Sequence, residues 1–143
     1  MFLHQSELFS GMSMELIRKV MDFAERVHCS QDELLFSGGE YPDRFYILIH
    51  GRVQLTFGED NQRVYVGSRP GEFFGWSGLL EQDSFTASAQ CLEPTDLLKI
   101  RTADFFSLLR NDPEGHCLLY RNLCRALGSR LIQVYEFFID SQT

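Results

Sequence analysis

Between Arg26 and Arg101 the chain breaks into short apolar runs, each closed by a glycine or a polar turn. That punctuation limits the possible folds more than any other feature. Val27–Cys29, Leu34–Phe36, Phe45–His50, Val53–Phe57, Arg63–Val66, Phe73–Phe74, Thr86–Cys91 and Asp96–Ile100 read as eight strands. Gly38-Gly39, Gly51, Gly58 and Gly67 mark turns between them, since glycine enters left-handed backbone conformations at little steric cost. Short strands spaced by turns every ~8–12 residues predict an antiparallel sandwich or jelly roll. In Val53-Gln54-Leu55-Thr56-Phe57 the alternation places Val53, Leu55 and Phe57 on one inward face.

Helical patterns flank this region. Residues Met1 to Ala24 read as helical, with Phe9 turned inward and Ser13 capping a helix that covers the open end of a sheet. Leu16, Ile17, Val20, Met21 and Ala24 form its apolar stripe. After the strands, Thr102 is expected to cap a helix over Ala103–Leu109, and Asp112-Pro113 breaks it, with Pro113 opening the next. That last helix is predicted from about Glu114 to Ile139. Along it Cys117, Tyr120, Cys124, Leu127, Leu131, Val134 and Phe138 alternate spacings of three and four, a dimerising seam sustained for three heptads. Leu119, Leu123 and Ala126 form a second apolar edge suited to packing on the strands. The helix end is apolar nearly all round, so a homodimer through it is expected. The 143 residues then divide into N-terminal helices (1–25), a β-roll (26–101) and C-terminal helices (102–143) of one domain.

A hydrophobic fraction of 44% with 13 Phe supports a packed core. The net charge of −7 argues against broad nucleic-acid binding, which needs a basic face, and against an anionic membrane surface. No secretory signal or apolar run of transmembrane length is evident, and a cytoplasmic location is expected. Cys29, Cys91, Cys117 and Cys124 lack metal-ligand spacing and are expected to be buried free thiols. His4, His28, His50 and His116 are isolated, so no metal site is expected. His50 reads as a strand-end surface group, and Asp43-Arg44 and Glu59-Asp60 as solvated turn charges. No nucleophile-base arrangement or paired carboxylates suggest catalysis, and a non-enzyme is expected.

The run from Pro70 to Ala89 carries the most functional information. Gly71, Gly75 and Gly78 allow sharp turns and close approach to a ligand, and Glu81 to Ser84 form a polar turn before strand alternation resumes. Backbone N–H groups at the start of the short helical turn between them form a ready anion site. The run resembles the phosphate-binding cassette of the cyclic-nucleotide-binding domain family, typified by catabolite activator proteins and protein kinase A regulatory subunits. That family reads Phe-Gly-Glu-Leu-Ala/Gly-Leu, a short turn, then Arg-Ser/Thr/Ala-Ala. Phe74-Gly75, Gly78-Leu79 and Ala87 fall in register without a gap. Trp76 stands where the family has the Glu that holds the ribose hydroxyl, and Phe85 where it has the Arg that pairs the cyclic phosphate. The opening Leu8-Phe9-Ser10-Gly11-Met12-Ser13 and the stretch from Phe45 to Leu55 resemble the same family.

The resemblance implies a mainly β fold: an eight-stranded antiparallel double-stranded β-helix, or jelly roll, with N-terminal helices and a long C-terminal helix. It also implies a ligand site at Phe74, Gly75, Trp76, Ser77, Gly78, Leu79, Ser84, Phe85, Thr86 and Ala87, with Arg130 near the family's lid position. Phe85 and Trp76 weaken cAMP or cGMP as ligands, because a buried cyclic phosphate needs a paired cation and indole cannot accept from a ribose hydroxyl. A less charged small-molecule effector is therefore expected, signalling through the last helix to the dimer or to a separate effector protein. The alternative is a ligandless dimerisation or protein-interaction module whose two rings fill the vacated pocket. The catabolite-activator relatives continue into a winged helix-turn-helix; here the sequence stops at Thr143, and direct DNA binding of that kind is not expected.

Overall fold

The computed structural model describes residues 3–142. Met1, Phe2 and Thr143 lie outside the described residues, and with them the ends of the expected N- and C-terminal segments. A 3-10 turn at Leu3–Gln5 precedes α1 (Met14–Phe23). Then come β1 (Glu25–Cys29), β2 (Leu34–Phe36), β3 (Arg44–His50), β4 (Val53–Phe57), β5 (Gln62–Gly67) and β6 (Phe73–Phe74). A second 3-10 turn, Trp76–Leu80, leads to β7 (Ser88–Cys91) and β8 (Thr95–Arg101). The chain ends in α2 (Thr102–Leu109) and α3 (Pro113–Ser141). All ladders are antiparallel, in two four-stranded sheets ordered β1-β8-β3-β6 and β2-β7-β4-β5, the expected jelly roll.

Strand β3 explains the layering. Tyr46 and Leu48 point between the sheets and pack with Phe36, Val53, Phe74 and Leu97. Phe45 and Ile47 point the other way and pack with Phe9, Leu16, Ile17, Val20 and Phe105. A strand apolar on both faces must be covered on both. The N-terminal segment and α2 therefore cover the outer face of this sheet, rather than the open end expected from the sequence. Ser13 caps α1 as expected, its Oγ accepting from Leu16 N at 3.1 Å. Met21, placed on the buried stripe by its spacing, is 44% exposed, because the stripe that meets the sheet is Leu16, Ile17 and Val20.

Two further expectations fail for local reasons. Phe57 is exposed, not inward: the β4–β5 ladder shifts register between Leu55 and Thr56, so buried Thr56 takes the inward place and Phe57 turns outward. Thr102 does not cap α2 but is its first residue, with Arg101 in the cap position. The Thr102 N–H bonds Asp43 O at 3.0 Å, extending the β3–β8 pairing by one step and moving the helix start back.

Pro113 opens α3, and Asp112 caps it by accepting from Gly115 N at 2.8 Å. Leu119, Leu123 and Ala126 are buried against the roll, as their spacing predicts. Asn122 sits on the same edge, and its Nδ2 donates to Leu8 O at 2.8 Å and Ser10 O at 2.9 Å, tying the N-terminal turn to α3. Beyond Arg130 the helix has no cover: every described residue from Leu131 to Gln142 is exposed. Cys29 and Cys91 are buried free thiols, and burial pushes the Cys29 pKa up to about 12. Cys117 and Cys124 are exposed, contrary to expectation, since they lie on the face of α3 turned away from the roll.

Candidate functional site

The cassette is built from backbone conformation outward. Gly75 has φ +91°, and a Cβ there would lie 3.2 Å from Arg44 O and 3.3 Å from the Phe85 ring. Gly78 packs so tightly against the Pro42 carbonyl that any side chain would displace it. These glycines seat the 3-10 turn directly on the start of β3. Ser77 is buried, and its Oγ accepts from Thr86 N at 3.2 Å and lies 3.3 Å from Thr86 Oγ1. Thr86 Oγ1 also donates to Gln82 Oε1 at 3.2 Å. The hydroxyls that could have met a ligand therefore largely meet each other.

Phe85 closes the inside of the cassette. Its ring is 2% exposed and stacks on Phe36 with centroids 4.0 Å apart; Phe36 in turn lies 6.2 Å from Tyr46. What remains between the cassette and the sheet is a cavity of about 20 Å³ lined by Phe36, Leu55, Gly75, Trp76, Ser77, Thr86 and Ala87. Of the residues singled out from sequence, Gly75, Trp76, Ser77, Thr86 and Ala87 come together there. Phe74, Gly78, Leu79 and Phe85 are packed below it, and half-buried Ser84 lies in the turn. Trp76 is only partly buried, and its ring packs toward the core shared with α1 and α2.

Arg44, not among the site residues singled out from sequence, lies against the cassette. Rather than a solvated turn charge, its side chain is 18% exposed and its guanidinium lies 5.5 Å from the Phe85 centroid. Nε donates to Tyr46 Oη at 3.1 Å, Nη1 to Asp43 Oδ1 at 2.8 Å and Nη2 to Leu35 O at 2.9 Å. Burial opposes its charge, but the bonds to Asp43 and Tyr46 outweigh that and raise its pKa. The signal in the sequence was alternation: Arg44, Tyr46 and Leu48 share one face of β3.

Arg130 lies apart from this cavity and is not solvated either, with its side chain 12% exposed. Nη2 donates to Phe73 O at 2.7 Å and to Glu7 Oε1 at 3.3 Å, and the guanidinium lies over the rings of Phe73 and Tyr65 at 4.6 and 4.9 Å. Burial raises the Glu7 pKa, with the Arg130 charge pulling the other way. In the same cluster, Glu72 is buried and accepts from Tyr65 Oη at 2.9 Å and Arg69 Nε at 3.0 Å. Arg130 thus joins α3 to the strand that leads into the cassette.

Comparison with known proteins places this geometry in a family. Residues 26–112 match the cyclic nucleotide-binding domain family. Over 128 residues the chain is 30% identical to the cyclic AMP receptor protein of Thermus thermophilus, an alignment covering 88% of this chain and 57% of that protein. The solved structure of the Thermus thermophilus catabolite activator protein matches with a TM-score of 0.72 and 27% identity, over 96% of this chain and 63% of that one. A cyclic nucleotide-binding domain from Methylobacillus flagellatus KT matches in fold, with a TM-score of 0.82 at 20% identity, over 98% and 80% of the two chains. The chain belongs to the cyclic-nucleotide-binding domain family. It is a regulatory domain of that type and spans a little over half the length of the Thermus receptor. No described helix is long and apolar enough to cross a membrane.

Proposed function

We propose that this regulatory domain keeps its cassette filled with its own aromatic side chains, and acts by pairing with a second copy through α3 without requiring cAMP or cGMP. The observation that carries this reading is the cavity of about 20 Å³ left by the Phe85–Phe36 stack. Small-molecule sites commonly enclose ~300–1,000 Å³. Electrostatics point the same way. The nearest guanidinium, that of Arg44, is already engaged by Asp43, Tyr46 and Leu35. A cyclic phosphate here would lack its partner, at a cost of ~2–5 kcal/mol, or affinity roughly thirty- to several-thousand-fold weaker.

The flank of α3 beside its roll-facing edge supplies the output. Leu131, Val134 and Phe138 are 48%, 48% and 59% exposed, and they continue the seam begun by Tyr120, Cys124 and Leu127. A second helix seated along that seam would bury them as knobs in holes.

A second reading retains a small, uncharged effector, and Trp76 favours it: unlike Phe85, this wall of the cavity is half-exposed and could swing aside. Arg130 would carry the movement from β6 to α3, and from there to a separate effector protein. One experiment separates the readings: sedimentation equilibrium of the chain with and without millimolar cAMP or aromatic acids, with the emission of Trp76, the lone tryptophan, recorded on the same samples. A dimer indifferent to every addition, with unchanged emission, is expected. Dimerisation only with cAMP would overturn the proposal, and a shift in Trp76 emission with an aromatic acid would select the second reading.

A further inference from the structure

A second concavity, separate from the cassette cavity, holds a polar group that the fold leaves unsatisfied. It lies where the turn before β3, the end of the second 3-10 turn and the start of α2 meet, and encloses about 270 Å³. Thr102 forms part of its wall and is 7% exposed, yet its Oγ1 is buried with no hydrogen-bond partner. Buried hydroxyls are nearly always paired, so an orphan in the wall of a cleft marks a place where a donor is wanted. Beside it lies Gly78, where an added Cβ would be 3.3 Å from that same oxygen.

The rest of the lining fixes the sign of the ligand. Glu81 and Asp83 contribute carboxylates from the loop after the 3-10 turn. Asp43 adds a third, already bonded to Arg44. Among the described residues, no basic side chain lines the cleft. Tyr41, 72% exposed, and half-buried Phe106 supply ring faces. Phe106 continues into a ring contact with His116 at 5.9 Å, and His116 into one with Tyr120 at 5.3 Å. The N-terminus of α2 carries a partial positive charge that Asp104 in its first turn offsets.

We propose that this cleft binds an organic cation with several N–H donors, a guanidinium or protonated amine. Glu81 and Asp83 pair its charge, the Tyr41 and Phe106 rings flank it, and Thr102 Oγ1 accepts one of its N–H groups. Rings beside carboxylates are a common way to hold such a cation. The volume suits a single arginine side chain or a slim polyamine, and the carboxylates would repel a nucleotide's phosphate. The cation can come from a basic side chain of a partner protein or from a free polyamine.

The test is a titration of the ¹⁵N-labelled full chain with argininamide, with spermidine and with neutral acetamide, following the amides of Gly78, Thr102 and Ala103. Saturable shifts with at least one cation and none with acetamide are expected. Saturation by argininamide alone identifies a protein side chain as the source, and saturation by spermidine alone a polyamine. Binding should weaken about tenfold in Glu81→Gln/Asp83→Asn. It should weaken about threefold in Thr102→Val. That variant swaps an unpaired buried hydroxyl for a methyl, so its melting temperature should hold or rise while affinity falls. Absence of saturation with both cations, or undiminished binding in Glu81→Gln/Asp83→Asn, overturns the proposal.

Discussion

Phe85→Arg, which would restore the cation found at this position in the family's pattern, is expected to destabilise the domain by about 3–5 kcal/mol. Phe85 is 2% exposed and stacked at 4.0 Å on Phe36, so its replacement forfeits the burial of a whole aromatic ring. The new guanidinium would also enter beside that of Arg44, now 5.5 Å from the ring centroid, with the nearby carboxylate of Asp43 already taken. Phe85→Leu keeps much of the volume and should cost less than about 1.5 kcal/mol. Urea denaturation of the two variants measures the contrast. A loss below about 1 kcal/mol in Phe85→Arg would mean that the side chain finds open, solvated space, which a filled cassette does not offer.

Leu131→Glu with Phe138→Glu should separate the proposed α3-paired dimer while leaving the fold intact. Both residues lie on the seam of α3 and are 48% and 59% exposed in the isolated chain, so neither contributes to the roll's own core. Within a paired seam they would place four carboxylates in an apolar interface, two from each copy. The expected result is self-association weakened at least about a hundredfold, near 2.7 kcal/mol, with an unchanged unfolding midpoint at low protein concentration. Sedimentation that is the same for the wild type and the variant would place any self-association elsewhere.

Much of the fold was legible in the residues because turn chemistry and alternation are local. The glycines between Gly38 and Gly67, with the apolar runs they bound, marked strands that the structure reproduces to within two residues at either end. Phe57 and Thr102 were misjudged because their fates depend on other strands, on the register shift against β5 for one and on the bond to Asp43 O for the other. The cassette was legible in the same limited way. Its glycines could be read directly, and the resemblance set Phe85 and Trp76 at the positions of the family's Arg and Glu. The direction of the Phe85 ring could not, since its partner Phe36 comes from a strand distant in sequence.

The two arginines make the same point. Arg44 looked like a solvated turn charge, and Arg130 was placed by resemblance alone, near the family's lid position. In the fold each guanidinium sits against rings and backbone carbonyls. A planar cation that covers an aromatic face while donating at its edge is well suited to such half-buried positions. Arg130 is the more consequential of the two, because it fastens α3 to Phe73, the residue that starts β6. That bond ties α3 to the roll at the strand leading into the cassette.

The most direct measurement is calorimetric titration of the wild-type chain with cAMP and with cGMP to millimolar concentration. With Phe85 stacked on Phe36 and all three Arg44 nitrogens already donating within the protein, no saturable heat is expected from either nucleotide. A one-site isotherm with micromolar affinity for either would show that the cassette opens to a cyclic phosphate and that a cation is free to meet it, contradicting the account.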